Sequence, residues 1–76
     1  MSSHLPVVSG GEAVKAFIKA GFTLLPGRGK GSHIVLHHPA MNKLLTVPNH
    51  RPVRRGTLRS LIREAGLTVD QFRELL

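Results

Sequence analysis

Two helix-start signatures stand near the two ends of this chain, and between them proline and glycine cut every apolar run short. Ser9 precedes Glu12 by three residues, and Thr68 precedes Gln71 by the same interval. In each pair the two side chains can satisfy each other's backbone amides at the start of a helix. In the middle, Pro26, Pro39 and Pro48 and the glycines 27, 29 and 31 leave Ile34-Val35-Leu36 as the longest strongly apolar run. Such punctuation points to short strands between helices. It falls far below the roughly 20 apolar residues of a transmembrane helix.

The apolar spacing fills in these elements. A helix is expected from about Gly10 to Ala20, with Val14, Phe17 and Ile18 on its inner face and Gly21 as its left-handed cap. Phe22 to Leu25, Ser32 to His38 and Leu44 to Val47 read as three strands of an antiparallel meander, with a turn over Pro39 to Asn42. Alternation assigns Phe22, Leu24, Ile34, Leu36, Leu45 and Val47 to one face. The other face receives Leu25, Val35, Leu44, Thr46, His33 and His37, too apolar a set for a purely solvated surface. A second helix follows, capped by Thr57 and striped by Leu58, Leu61, Ile62 and Ala65, and Gly66 stops it. A short last helix carries Phe72, Leu75 and Leu76. The fold class is therefore α+β: helix, three-stranded antiparallel meander, helix, short C-terminal helix, with the helices on one face of the sheet. This is the layout of double-stranded-RNA-binding domains. At 76 residues it fits a single domain, 1–76.

Charge narrows the partners. Eleven Lys and Arg stand against four Asp and Glu, for a net +7, and no acidic residue occurs between Glu12 and Glu64. That uncompensated cation favours a polyanion, and nucleic acid is preferred over a membrane because no polybasic tail or lysine-rich amphipathic helix is present. The absence of cysteine removes disulfides, thiolate metal sites and thiol nucleophiles, and fits a reducing cytoplasm. No targeting segment is legible.

The remaining chemistry rests on histidine. His37 and His38 are neighbours on opposite faces, and the basic span offers no carboxylate to join a metal set, so no metal or other cofactor is expected. His4, His37 and His38 read as residues without a task. His33 differs, because it directly follows "GRGKGS", where glycine amides can approach a phosphate and Arg28 and Lys30 can hold its charge. The run is not a P-loop, since no Ser or Thr follows its lysine and it opens a strand. With imidazole as the only available base, RNA is the better substrate, because its own 2′-hydroxyl can serve as the nucleophile.

Four pieces in order, a first helix running into "AGF", Gly31-Ser32-His33 before a strand, "VPNH" at 47–50 and "RRGTLRSLIREAGL" at 54–67, carry a family likeness. In them the chain resembles the HicA toxins, the mRNA interferases of HicA/HicB toxin–antitoxin systems. The resemblance implies a double-stranded-RNA-binding-like fold and endoribonuclease activity that depends on one histidine and inhibits translation and growth. It also implies neutralisation by a HicB-type antitoxin. The catalytic histidine of the family falls on His33, with Gly31 and Ser32 as its loop. His50 matches a second histidine position, whose role is either phosphate contact or loop structure. The loop "LLPGRGKGSH" is longer and more glycine-rich than is usual in the family, which puts Lys30 ahead of Arg28 as the cation at the phosphate. Arg51 and Arg55, on the basic stretch after His50, complete the expected RNA-binding set. A non-catalytic RNA-binding module of the same fold is the alternative reading, and the open apolar sheet face is the expected docking surface of the antitoxin.

Overall fold

A computed structural model describes residues 4–26 and 31–76. Its elements run α1 (Gly10–Lys19), β1 (Thr23–Leu24), β2 (His33–His38), β3 (Lys43–Pro48), α2 (Arg55–Glu64) and α3 (Val69–Glu74). The three strands form one antiparallel sheet in the order β1-β2-β3. The expected α+β meander is the fold.

Both capping boxes form. Glu12 N–H donates to Ser9 Oγ at 3.1 Å while Ser9 N–H donates to Glu12 Oε1 at 2.8 Å, and Thr68 and Gln71 repeat the exchange at 3.0 and 2.9 Å. Each satisfies two amides that a helix start otherwise leaves without partners. At the other end of α1, Gly21 adopts φ +110°, and an added Cβ there would lie 2.7 Å from His38 Nε2. Glycine is required both for the left-handed turn and for the approach of that ring.

The register fixes the two faces. Leu36 opposes Leu45 and Ile34 opposes Val47, while Val35 opposes Thr46 and His37 opposes Leu44. Leu36, Leu45 and Val47 are fully buried beneath the helices, together with Phe17, Leu58 and Phe72. Phe17 is the hub, its ring 5.9 Å from that of Phe22 and 5.2 Å from that of Phe72, so α1, the approach to β1 and α3 meet at one side chain. The opposite face carries Leu44 at 52% exposure, and no element among the described residues covers it.

Four local expectations are corrected. Ile18 is 44% exposed, because the buried face of α1 is centred on Ala13, Ala16 and Phe17 and Ile18 falls beyond its edge. Leu24 lies on the helix side of the sheet but on the short outer strand, where it stays 44% exposed. His38 has a task. On the helix side it packs edge-on against Phe22 at 5.0 Å, and its Nδ1 accepts Met41 N–H at 3.2 Å, closing the β2–β3 turn. Thr57 does not cap α2. The helix begins one turn earlier, with Arg54 as its N-cap and no side-chain cap bond. Buried Val53, whose N–H donates to Val8 C=O at 2.8 Å, fixes the chain just ahead of the helix and makes Arg54 the turning point.

Candidate functional site

His33 is the first residue of β2 and projects from the open face of the sheet. Its cross-strand partner is Pro48, the last residue of β3. One residue further out, Asn49 N–H donates to Ser32 C=O, which carries the antiparallel pairing past the strand ends. The chain leaving β3 is thereby held against the turn that presents His33. Gly31 adopts φ +56° at that turn, and no described residue comes within 4 Å of the place a Cβ would take. Glycine there serves the left-handed backbone conformation.

His50 is held from the other side. Its carbonyl accepts Gly10 N–H at 2.9 Å, and a Cβ on Gly10 would sit 2.5 Å from Pro48 O and 2.7 Å from Asn49 Cα. The start of α1 is pressed directly onto the backbone that carries His50. The following loop contains a cis Arg51–Pro52 peptide and returns at Val53 to pair with Val8.

These constraints converge on a cleft of about 400 Å³ lined by His33, Thr46, Pro48, His50, Arg54 and Thr57. It lies where the open sheet face meets the start of α2. Two imidazoles, one guanidinium and two hydroxyls line it, and no carboxylate does. No acid occupies the first turn of α2 either, and its leading amides have no side-chain cap. Helix-start amides, the positive end of the helix and Arg54 all favour an anion here.

The structure brings His33 and His50 into one cleft, with Gly31 and Ser32 forming the turn before His33. Arg51 sits elsewhere, on a depression shared with Val7, Val8, Ser9, Glu12 and Pro52. Arg55 is exposed on the first turn of α2 and does not line the cleft. Arg28 and Lys30 lie outside the described residues. Arg54 and Thr57 were not singled out by sequence reasoning. The signal was present in "RRGT", but assigning the hydroxyl of Thr57 to a helix cap hid both its place in the cleft and that of Arg54. Among the described residues no group of three or more His, Cys, Asp or Glu is gathered as for a metal.

The family model described as the HicA toxin of bacterial toxin–antitoxin systems matches residues 10–67. The chain belongs to the HicA toxin family. A search of curated proteins finds no significant match. The HicA match begins at Gly10, ends just beyond α2, and contains every residue lining the His33 cleft. It leaves out the N-terminal segment and α3. Membership makes the chain the toxin half of a toxin–antitoxin pair. No helix among the described residues is long and apolar enough to cross a membrane.

Proposed function

We propose that this HicA toxin is an endoribonuclease acting on mRNA, with His33 as its general base. The observation that carries the reading is the placement of exposed His33 in a carboxylate-free cleft with His50 and Arg54. A phosphodiester seated there meets a cation, imidazoles, hydroxyls and Pro48, and no carboxylate. His33 takes the proton of the RNA 2′-hydroxyl, and the 2′-oxygen attacks the adjacent phosphorus. The P–O5′ bond breaks, and the departing 5′-oxygen is protonated from the solvent-open cleft. The products are a 2′,3′-cyclic phosphate and a 5′-hydroxyl. Because the nucleophile belongs to the substrate and the base to the protein, the scheme needs no metal-bound hydroxide. Arg54 and His50 contact the phosphoryl oxygens, where negative charge develops, an electrostatic contribution that is large in such reactions. Lys30 and Arg28, on the glycine loop before His33, are proposed to add to that charge.

The uncovered sheet face is the proposed seat of the antitoxin. Leu44 is exposed and Val35 half-buried on it, and His33 stands on the same face. A protein packed on these strands buries apolar surface and closes the cleft to RNA in one step. The cytoplasm, where mRNA is met, is the proposed location.

The test is cleavage of a labelled single-stranded RNA by wild-type protein and by His33→Ala, with and without EDTA, alongside RNA binding by anisotropy. Wild type is expected to cut in EDTA and leave a 5′-hydroxyl, and the exposed substitution is expected to leave fold and binding intact while abolishing the cut. Equal cleavage by His33→Ala overturns the mechanism, and binding without cleavage by either protein makes the chain an RNA-binding module.

A further inference from the structure

A second recess lies away from the cleft. It is a groove of about 600 Å³ between the N-terminal segment, the outer flank of α1 and the last two residues, and none of its lining residues lines the His33 cleft. Its apolar surface is exposed: Val7 at 75%, Ile18 at 44% and Leu76 at 50%. Val7, Val8 and Glu12 also line the depression that holds Arg51, so the two recesses adjoin. Lys15 and Lys19, one helical turn apart, stand on the rim, and Arg51 stands at the far end. Glu12 is the only acidic side chain lining either recess, and its carboxylate is already engaged by Ser9 N–H at 2.8 Å.

We propose that this groove docks an acidic amphipathic helix of a partner protein. An aliphatic floor edged by cations complements a helix with an apolar stripe and carboxylates on its flanks, the helix-in-groove mode of recognition. Two properties set other occupants aside. RNA is disfavoured because the floor offers no aromatic ring for a base to stack on. A second copy of this chain is disfavoured because each carries a net charge of +7. The groove straddles the family-matched span, with Glu12, Lys15, Ile18 and Lys19 inside it and Pro6, Val7, Val8, Leu75 and Leu76 outside, whereas the cleft lies wholly within it. The inference does not depend on RNA cleavage.

The experiment is a methyl and imidazole NMR titration of the full chain with a synthetic 14-residue helical peptide bearing leucines at i, i+3, i+4 and i+7 and glutamates on both flanks. Its lysine-flanked counterpart and a short RNA oligonucleotide are titrated in parallel. The acidic peptide is expected to shift the methyl signals of Val7, Ile18 and Leu76 and leave His33 unmoved. Ile18→Glu should abolish the shifts, and Lys15→Glu with Lys19→Glu should weaken binding at least tenfold. The proposal is overturned if the acidic peptide leaves the groove unshifted, or if the lysine-flanked peptide binds equally well. It also fails if RNA shifts the groove, or if the groove signals move with protein concentration alone, the sign of self-association. A toxin inactive on RNA but responding to the acidic peptide as described leaves this inference standing while removing the cleavage mechanism.

Discussion

The amide of Gly10 donates to the carbonyl of His50 at 2.9 Å, which ties the first residue of α1 to the second imidazole of the cleft across 40 residues of sequence. The contact is possible only because residue 10 has no side chain. A Cβ there meets the Pro48 carbonyl and the Asn49 Cα, both backbone, so neither can rotate away. Gly10→Ala is expected to cost about 1–3 kcal/mol as an overpacking substitution and to displace His50. Gly11→Ala is the control, since its Cβ would find only Ser9 Oγ at 3.9 Å. It should be neutral or stabilising by up to about 1 kcal/mol. Denaturant melts of the two variants, with the His50 ring signals followed by NMR, separate them. Equal stabilities would mean the α1–β3 junction is looser than it looks.

Gly31 poses the opposite case. No described residue crowds it, yet its φ of +56° is left-handed. Gly31→Ala is expected to cost about 1–2 kcal/mol through the backbone alone. Gly31→Asn should cost less, because asparagine tolerates that region. Cleavage rate should follow the same order, since this turn presents His33. A rate unaffected by either substitution would show that the turn does not set the orientation of His33.

Much of this architecture was legible in the sequence because it depends on local rules. Ser9–Glu12 and Thr68–Gln71 mark helix starts through interactions three residues apart, and the alternation from Ile34 to His38 assigns faces through the pleat. What escaped is what depends on residues distant along the chain. Thr57 looked like a cap, but the pairing of Val53 with Val8 starts α2 earlier and frees its hydroxyl for the cleft. His38 looked idle, but Phe22 and the Met41 amide occupy it. Ile18 fits an apolar helical stripe, and only the orientation of α1 on the sheet decides that it faces the groove. The place of His33 at the start of β2 on the open face was legible from its neighbours, whereas that of Arg54 beside it became visible only once α2 was placed beside β3.

The residues proposed to handle phosphate are separable by salt. Removing one phosphate-binding cation from a single-stranded complex flattens the slope of log K against log salt by about 0.7. Arg54→Ala is expected to lower RNA affinity and reduce the slope by that amount. Arg55→Ala, on an exposed turn outside the cleft, should change both less. His50→Gln keeps a hydrogen-bonding side chain but cannot carry charge. A large loss of kcat with unchanged affinity would assign His50 to proton transfer, and a loss of affinity with little change in kcat would assign it to the phosphate. If Arg54→Ala leaves binding and slope untouched, the cleft is not where RNA phosphate sits.

Outside the family-matched span, α3 still secures the core through Phe72, fully buried with its ring 5.2 Å from that of Phe17. Phe72→Ala removes a large side chain from the meeting point of α1 and α3, which places the expected loss at about 3–5 kcal/mol. Domains commonly hold only about 5–15 kcal/mol in total, and one this small sits near the lower end. The variant should therefore melt far below wild type or lack a cooperative transition. Thr68→Ala, which removes only the cap of α3, should cost about 1 kcal/mol and keep a cooperative melt. Differential scanning calorimetry on both distinguishes a helix that anchors the core from one that merely rests on it. A Phe72→Ala protein no less stable than Thr68→Ala would mean that Phe17 closes the core without help from α3.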